Sequence, residues 1–262
     1  MDLSLKGKIA IIGGASQGIG YGIAHQLAEE GARVVITARR EPALQAAAEK
    51  IRKDTGAEVL IVPSDVRRSE DCAKVAEAAL KAYGGIDILV NNDGAPPIGR
   101  IEDFDDLAWQ KAVEQNLYSV IRMTRHCIPH MKAGGYGRII NVTSVSTRQP
   151  IAGLALSVAT WAGVIAYAKT LSLELGPAGI TVNTILPGRV DTGRLELVTR
   201  QRAAKEGRDP EKMIAELLHE VPINRLGRPE DVAGLVALLV SSRGSFITGT
   251  AIQVDGGLQR GV

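Results

Sequence analysis

The chain has 262 residues, 45% of them hydrophobic and 23% charged, and its 31 Lys and Arg against 29 Asp and Glu leave a net charge of +2. So even a balance offers no electrostatic footprint for nucleic acid or an anionic membrane surface, and 3% aromatic residues supply little for stacking on bases. Two cysteines beside 29 glycines indicate tight backbone turns without disulfides and a reduced, cytoplasmic setting.

Met1 to Gly7 contains no apolar run of signal-peptide length, so the protein is expected to stay where it is made. Short β-branched runs follow: Lys8 to Ile12, Arg33 to Thr37, Glu58 to Val62, Ile86 to Asn91, Arg138 to Val142, Thr181 to Leu186 and Ala251 to Val254. Between them lie stretches of helical period, such as Ile19, Ile23, Leu27 and Leu44, Ala48, Ile51. Seven strands alternating with helices predict an α/β fold, a single-domain Rossmann-type doubly wound parallel sheet over residues 1–262, with ligands bound beyond the strands' carboxyl ends.

Two stretches stand apart. Ile151 to Ala168 is eighteen uncharged residues, the minimum for a membrane span, but Ser157, Thr160 and two glycines within it favour a helix buried on several sides of a soluble domain, with no membrane partner. Arg189 to Arg228 mixes charges with Gly193, Gly207, Pro210, Pro222 and Gly227 around one short helix, Pro210 to His219, and reads either as an irregular lid over the site or as a surface excursion.

Directly after the first strand comes Gly13-Gly14-Ala15-Ser16-Gln17-Gly18-Ile19-Gly20, then a helical pattern. A glycine-rich loop entering a helix offers free N–H groups and the positive dipole end to a pyrophosphate, which points to a dinucleotide. After the second strand the place of a carboxylate that would bind the adenosine 2′-hydroxyl holds Ala38. Arg39 and Arg40 follow, either donors to a 2′-phosphate, favouring NADP(H) over NAD(H), or a solvated basic turn.

Across nearly its full length the chain resembles the short-chain dehydrogenase/reductase family, including its 3-oxoacyl-carrier-protein-reductase-like members. Besides the loop residues Gly14, Ser16, Gln17, Gly18, Ile19 and Gly20, Asp65 and Val66 resemble the adenine-contacting segment and Asn91-Asn92-Asp93-Gly94 the Asn-Asn-Ala-Gly strand end. Asn116 matches the family's helix-borne Asn and Ser144 its active-site Ser. Pro187-Gly188, with Val190 and Thr192 beyond, matches the nicotinamide-side turn, and Asp255-Gly256-Gly257 the C-terminal signature. The resemblance implies an oxidoreductase acting on a small molecule and a homotetramer or homodimer.

It also implies a Tyr about thirteen residues after the Ser and a Lys four residues later, and those places hold Ser157 and Trp161. The gap-free match of Lys169 to Leu175 with the later part of the same helix fixes this register. Tyr167 and Lys169 cannot substitute, since they are two residues apart and Tyr167 lies about 15 Å along the axis from Ser157. In the family the phenol protonates the carbonyl oxygen as hydride arrives, and losing a positioned acid costs about 10²- to 10⁴-fold. Three readings follow: a substrate that needs no strong acid, such as an iminium or activated alkene; another donor, with Asp93 the candidate beside Ser144, unless it caps a turn; or NADP(H) binding without redox turnover. Ser144 is left to donate to a substrate oxygen or to cap a strand end. Asn116 serves either the site or helix structure, and Trp161 is a substrate-facing wall or a filler of the lysine's volume. His126 and His130 share a helix face on which no carboxylate or Cys accompanies them, so no metal is expected.

Overall fold

The computed structural model describes residues 2–94 and 96–261. Seven parallel strands form one sheet in the order β3-β2-β1-β4-β5-β6-β7. They are β1 (Ile9–Ile12), β2 (Arg33–Ala38), β3 (Val59–Pro63), β4 (Ile88–Asn91), β5 (Gly137–Val142), β6 (Ile180–Pro187) and β7 (Ala251–Val254). Each lies within two residues of a β-branched run in the sequence. The central strands are apolar on both faces because helices cover both, which is why they read as unbroken Ile/Val runs instead of alternating ones.

Helices α1 (Gly18–Glu29) and α2 (Glu41–Thr55) pack on one face, closed by α9 (Pro229–Val240). Their core joins Ile23, Leu27, Leu44 and Ile51 to Val232 and Val236 across β1 and β2. The opposite face carries α3 (Ser69–Tyr83), α5 (Ser119–Gly134) and α6 (Ala155–Leu175), around Val75, Met123, Met131, Ile139 and Leu171. A short α4 (Asp106–Val113), capped by the Asp105 carboxylate on the Ala108 N–H at 2.8 Å, runs into α5 through a π-helical turn, Glu114–Tyr118.

The long uncharged stretch is α6, which begins later than expected, at Ala155. Ala155–Ala178 is long and apolar enough by composition to cross a membrane, yet it packs on β6 and the π turn and buries Leu156, Ser157, Thr160, Val164, Ala168 and Leu171. Burial on several sides is overstated, since Ala159, Ala162, Ala166 and Leu173 face outward.

The largest departure lies at residues 189–228. Besides the expected α8 (Pro210–His219), a second helix, α7 (Gly193–Glu206), occupies what reads as irregular. It buries little beyond Thr199 and Ala203, so it shows no apolar stripe, and it rests on a Thr192 cap and the i,i+4 pairs Glu196–Arg200 and Arg202–Glu206. The excursion has a tied stem: the Asp191 N–H donates to Gly227 O and the Gly227 N–H to Arg189 O, both at 2.8 Å.

Candidate active site

Parallel strands end on the same side of the sheet, and the chain reverses direction across it between β1 and β4, which opens a crevice there. Its volume is about 450 Å³, and it runs over the ends of β1, β2, β4, β5 and β6. Of the residues expected at a dinucleotide, Gly14, Ser16, Gln17, Gly18 and Ile19 line it, as do Arg39, Arg40, Asp65, Val66, Asn92, Gly94, Pro187, Gly188, Val190 and Thr192. Gly20 and Asn91 act from behind. A methyl group on Gly20 would stand 2.5 Å from Gly14 O and 2.6 Å from Asn92 Nδ2, so the turn closes only around glycine. Asn91 is buried, and its Nδ2 donates to Asn141 Oδ1 at 2.9 Å, tying β4 to β5.

These residues suit a dinucleotide. No side chain caps the start of α1 at Gln17, so its first N–H groups and the positive end of the helix dipole are left for an anion. Gly14 has φ +59° and its Cα faces Asn92 O, which leaves no room for a larger residue. At the far end, Arg39 and Arg40 are exposed on the crevice rim. Arg67, which the sequence reading missed, joins them there and chelates Asp65, whose carboxyl that guanidinium holds below the usual carboxylate range. It follows no strand end directly, so only the Asp65 pairing marks it.

At the other end Ser144, Ser157 and Trp161 all line the crevice. Ser144 Oγ accepts the Ser146 N–H at 3.1 Å, so its own O–H remains free to donate. Ser157 and Trp161 sit one turn apart on α6. Among the described residues lining the crevice there is neither a tyrosine nor a lysine. Tyr167 instead packs into the core of the α5–α6 face, where burial raises its phenol, and Lys169 is exposed.

Asn116 lies in the π turn, fully buried, and donates from Nδ2 to Thr160 Oγ1 at 2.8 Å, while Thr160 in turn donates to Leu156 O. It thus joins the distorted helix to α6 one position before Trp161. Among the described residues its Oδ1 has no hydrogen-bond partner, and it presses on Gly94, where a methyl group would collide with it.

Asp93 also lines the crevice. Its carboxyl packs against Gly13, where a side-chain carbon would collide with Oδ2, and accepts the Gly14 N–H. Burial pushes it up to about 7, with Arg39 partly opposing, and no described hydrogen bond links it to Ser144 or Ser157.

The family pattern described as Enoyl-(Acyl carrier protein) reductase matches residues 14–259. The chain belongs to the short-chain dehydrogenase/reductase family. It is 36% identical to the 3-oxoacyl-[acyl-carrier-protein] reductase FabG of Vibrio cholerae over 98% of this chain and 99% of that one. Among solved structures it is similar to L-sorbose reductase from Gluconobacter frateurii, complexed with NADPH and L-sorbose, at TM-score 0.95 and 33% identity with both chains fully covered. An actinorhodin polyketide ketoreductase with NADPH superposes at TM-score 0.93 and 34% identity, covering 97% of this chain and 98% of that one. The protein is therefore an oxidoreductase of this family built on a single Rossmann-like domain.

Proposed function

We propose that the protein is an NADPH-dependent reductase of a small molecule that accepts hydride without proton transfer from a phenol. The observation that carries this reading is the crevice wall itself: Ser157 and Trp161 stand where a phenol and an amine are expected, and no described tyrosine or lysine reaches it. The hydride would come from NADPH bound along the loop. Around it the chain's own groups do the rest. The N–H groups opening α1 hold the diphosphate, while Arg39 and Arg40, with Ala38 in place of a carboxylate at the end of β2, favour the 2′-phosphate of NADP(H) over NAD(H). Ser144 donates to a substrate atom, and the Trp161 indole walls the apolar side.

An aliphatic hydroxyl such as Ser157 is too weak an acid to replace a phenol. Substrates whose reduction creates no strongly basic oxygen fit best: an iminium, already cationic, or an activated alkene that takes its proton from water. Asp93 is the second proton source we assign, because it is the crevice acid that still holds a proton near neutrality. The buried free thiols Cys72 and Cys127 suit a reduced cytoplasmic setting, and the fully exposed Phe246 with the outward Leu173 gives a homotetramer apolar surface to cover.

The test follows NADPH oxidation over matched ketones, iminium salts and enones. Turnover of the latter two above the ketones supports the reading; NADPH binding with no hydride transfer to any of them would establish a non-redox protein instead. Loss in Asp93→Asn of a kcat inflection near pH 7 would assign the proton to Asp93, and an unchanged profile would assign it to water.

A further inference from the structure

The first turn of α7 places a cation where its surroundings disfavour one. Arg194 is the second residue of that helix, at the positive end of its dipole, a position that disfavours a positive side chain. It is partly buried, forms no ion pair among the described residues, and spends one N–H on Pro96 O at 2.8 Å. Burial pulls its guanidinium below the ordinary arginine range, with no acidic neighbour offsetting it. A guanidinium nevertheless stays charged in proteins, so four of its five donors and its whole charge remain to be used.

Its placement says by what. Arg194 lines the crevice, and Pro96 opens the segment whose Gly99 bridges Leu154, just before Ser157. Gly94, just past the end of β4, presses on Asn116, which is bonded to Thr160 next to Trp161. The guanidinium therefore stands at the end of the crevice that holds Ser157 and Trp161, away from Arg39 and Arg40 at the end of β2. Two residues earlier, Thr192 lies over Gly18 and ties this turn to the dinucleotide loop.

We propose that Arg194 is the receptor for an oxyanionic group on the substrate, so that the molecule reduced carries a carboxylate, which the planar fork takes in bidentate fashion. This rests on the reductase reading for the word substrate, but the anion site is testable by binding alone. In the protein saturated with NADP⁺, acetoacetate and 2-oxobutyrate are titrated against their methyl esters by calorimetry, for wild type, Arg194→Met and Arg194→Lys, with NADP⁺ affinity measured separately.

The expected result is that each acid binds wild type at least about tenfold tighter than its ester, the energy of one charge-assisted pair. Arg194→Met abolishes that preference, Arg194→Lys keeps part of it, NADP⁺ affinity stays within about twofold, and unliganded Arg194→Met melts no lower than wild type because a disfavoured cation has gone. Failure of both acids to bind, equal binding of acid and ester, or a loss of NADP⁺ affinity as large as the loss of acid affinity would overturn the proposal, the last by assigning the arginine to the cofactor's diphosphate. Arginine-dependent acid binding, together with no NADPH oxidation by any of the ketones, iminium salts or enones, would leave the anion site standing and remove the reductase reading.

Discussion

Asp93 shows how one side chain can trade stability for a charge beside a phosphate loop. Its carboxyl is raised to about 7 by burial, against an ordinary value of 3.8. Between those two pH values the folded protein keeps a proton that the unfolded chain releases, so this group's contribution to stability is full below about pH 4 and is lost as pH rises through 7. Asp93→Asn keeps the acceptor for the Gly14 N–H and removes the charge. Thermal unfolding should find the variant level with wild type at pH 4 and more stable at pH 8, by about 1–3 kcal/mol for an uncompensated buried group. Equal stability at pH 8 would show that the carboxyl is ionised and solvated. Arg39 and Arg40 make the complementary case at the far end of the crevice. Replacing both with Ala should weaken NADPH by about tenfold or more, the cost of a lost charge-assisted bond, and leave NADH unchanged in the same fluorescence titration.

At the scale of elements, glycine positions separate packing from propensity. α1 lies against the start of α9, where a methyl on Gly22 would stand 2.6 Å from Pro229 Cβ and 3.2 Å from its carbonyl carbon. A proline ring and its backbone cannot turn aside, so Gly22→Ala forces the helices apart. It should cost about 1–3 kcal/mol in denaturant unfolding, less the helix-propensity gain of up to about 1 kcal/mol. Gly234, in the same α9, is exposed and has nothing within 4 Å of an added methyl, so Gly234→Ala should stabilise by up to about 1 kcal/mol. A loss at 234 equal to that at 22 would contradict this packing.

The elements differ in how plainly the sequence announces them. Strands buried on both faces leave uninterrupted runs such as Ile9–Ile12, and α1 and α2 show Ile23–Leu27 and Leu44–Ala48–Ile51 stripes, so these were readable. α7 was not, because it buries only Thr199 and Ala203 and stands on charge pairs that look the same as a polar loop. The site divides the same way. Gly14, Gly18 and Gly20 announce a phosphate loop by spacing, and Ser157 and Trp161 stand out against an expected pattern. Arg67 and Arg194 carry no spacing signal, and their meaning comes from the fold, which sets one beside Asp65 and turns the other into the crevice.

Over the whole molecule, the basic rim of Arg39 and Arg40 lies at one end of the crevice and Ser144, Ser157 and Trp161 at the other. The glycine loop, the open start of α1 and the basic rim answer to a phosphorylated dinucleotide, whereas the wall of α6 facing the reacting end offers a hydroxyl and an indole. Fold and cofactor site do not fix the reaction, and under the proposed function the wall limits which electrophiles can be reduced. The tied stem at Arg189, Asp191 and Gly227 brings the first turns of α7 to the crevice.

The central claim, a reductase crevice without its phenol and amine, is tested most directly by the double variant Ser157→Tyr with Trp161→Lys, followed by NADPH oxidation with a simple ketone. Restoring a positioned acid should raise ketone reduction by about 10²- to 10⁴-fold, with NADPH affinity little changed. A wild-type protein that already reduces the ketone as fast as the double variant, with the variant folded and binding NADPH, would contradict it.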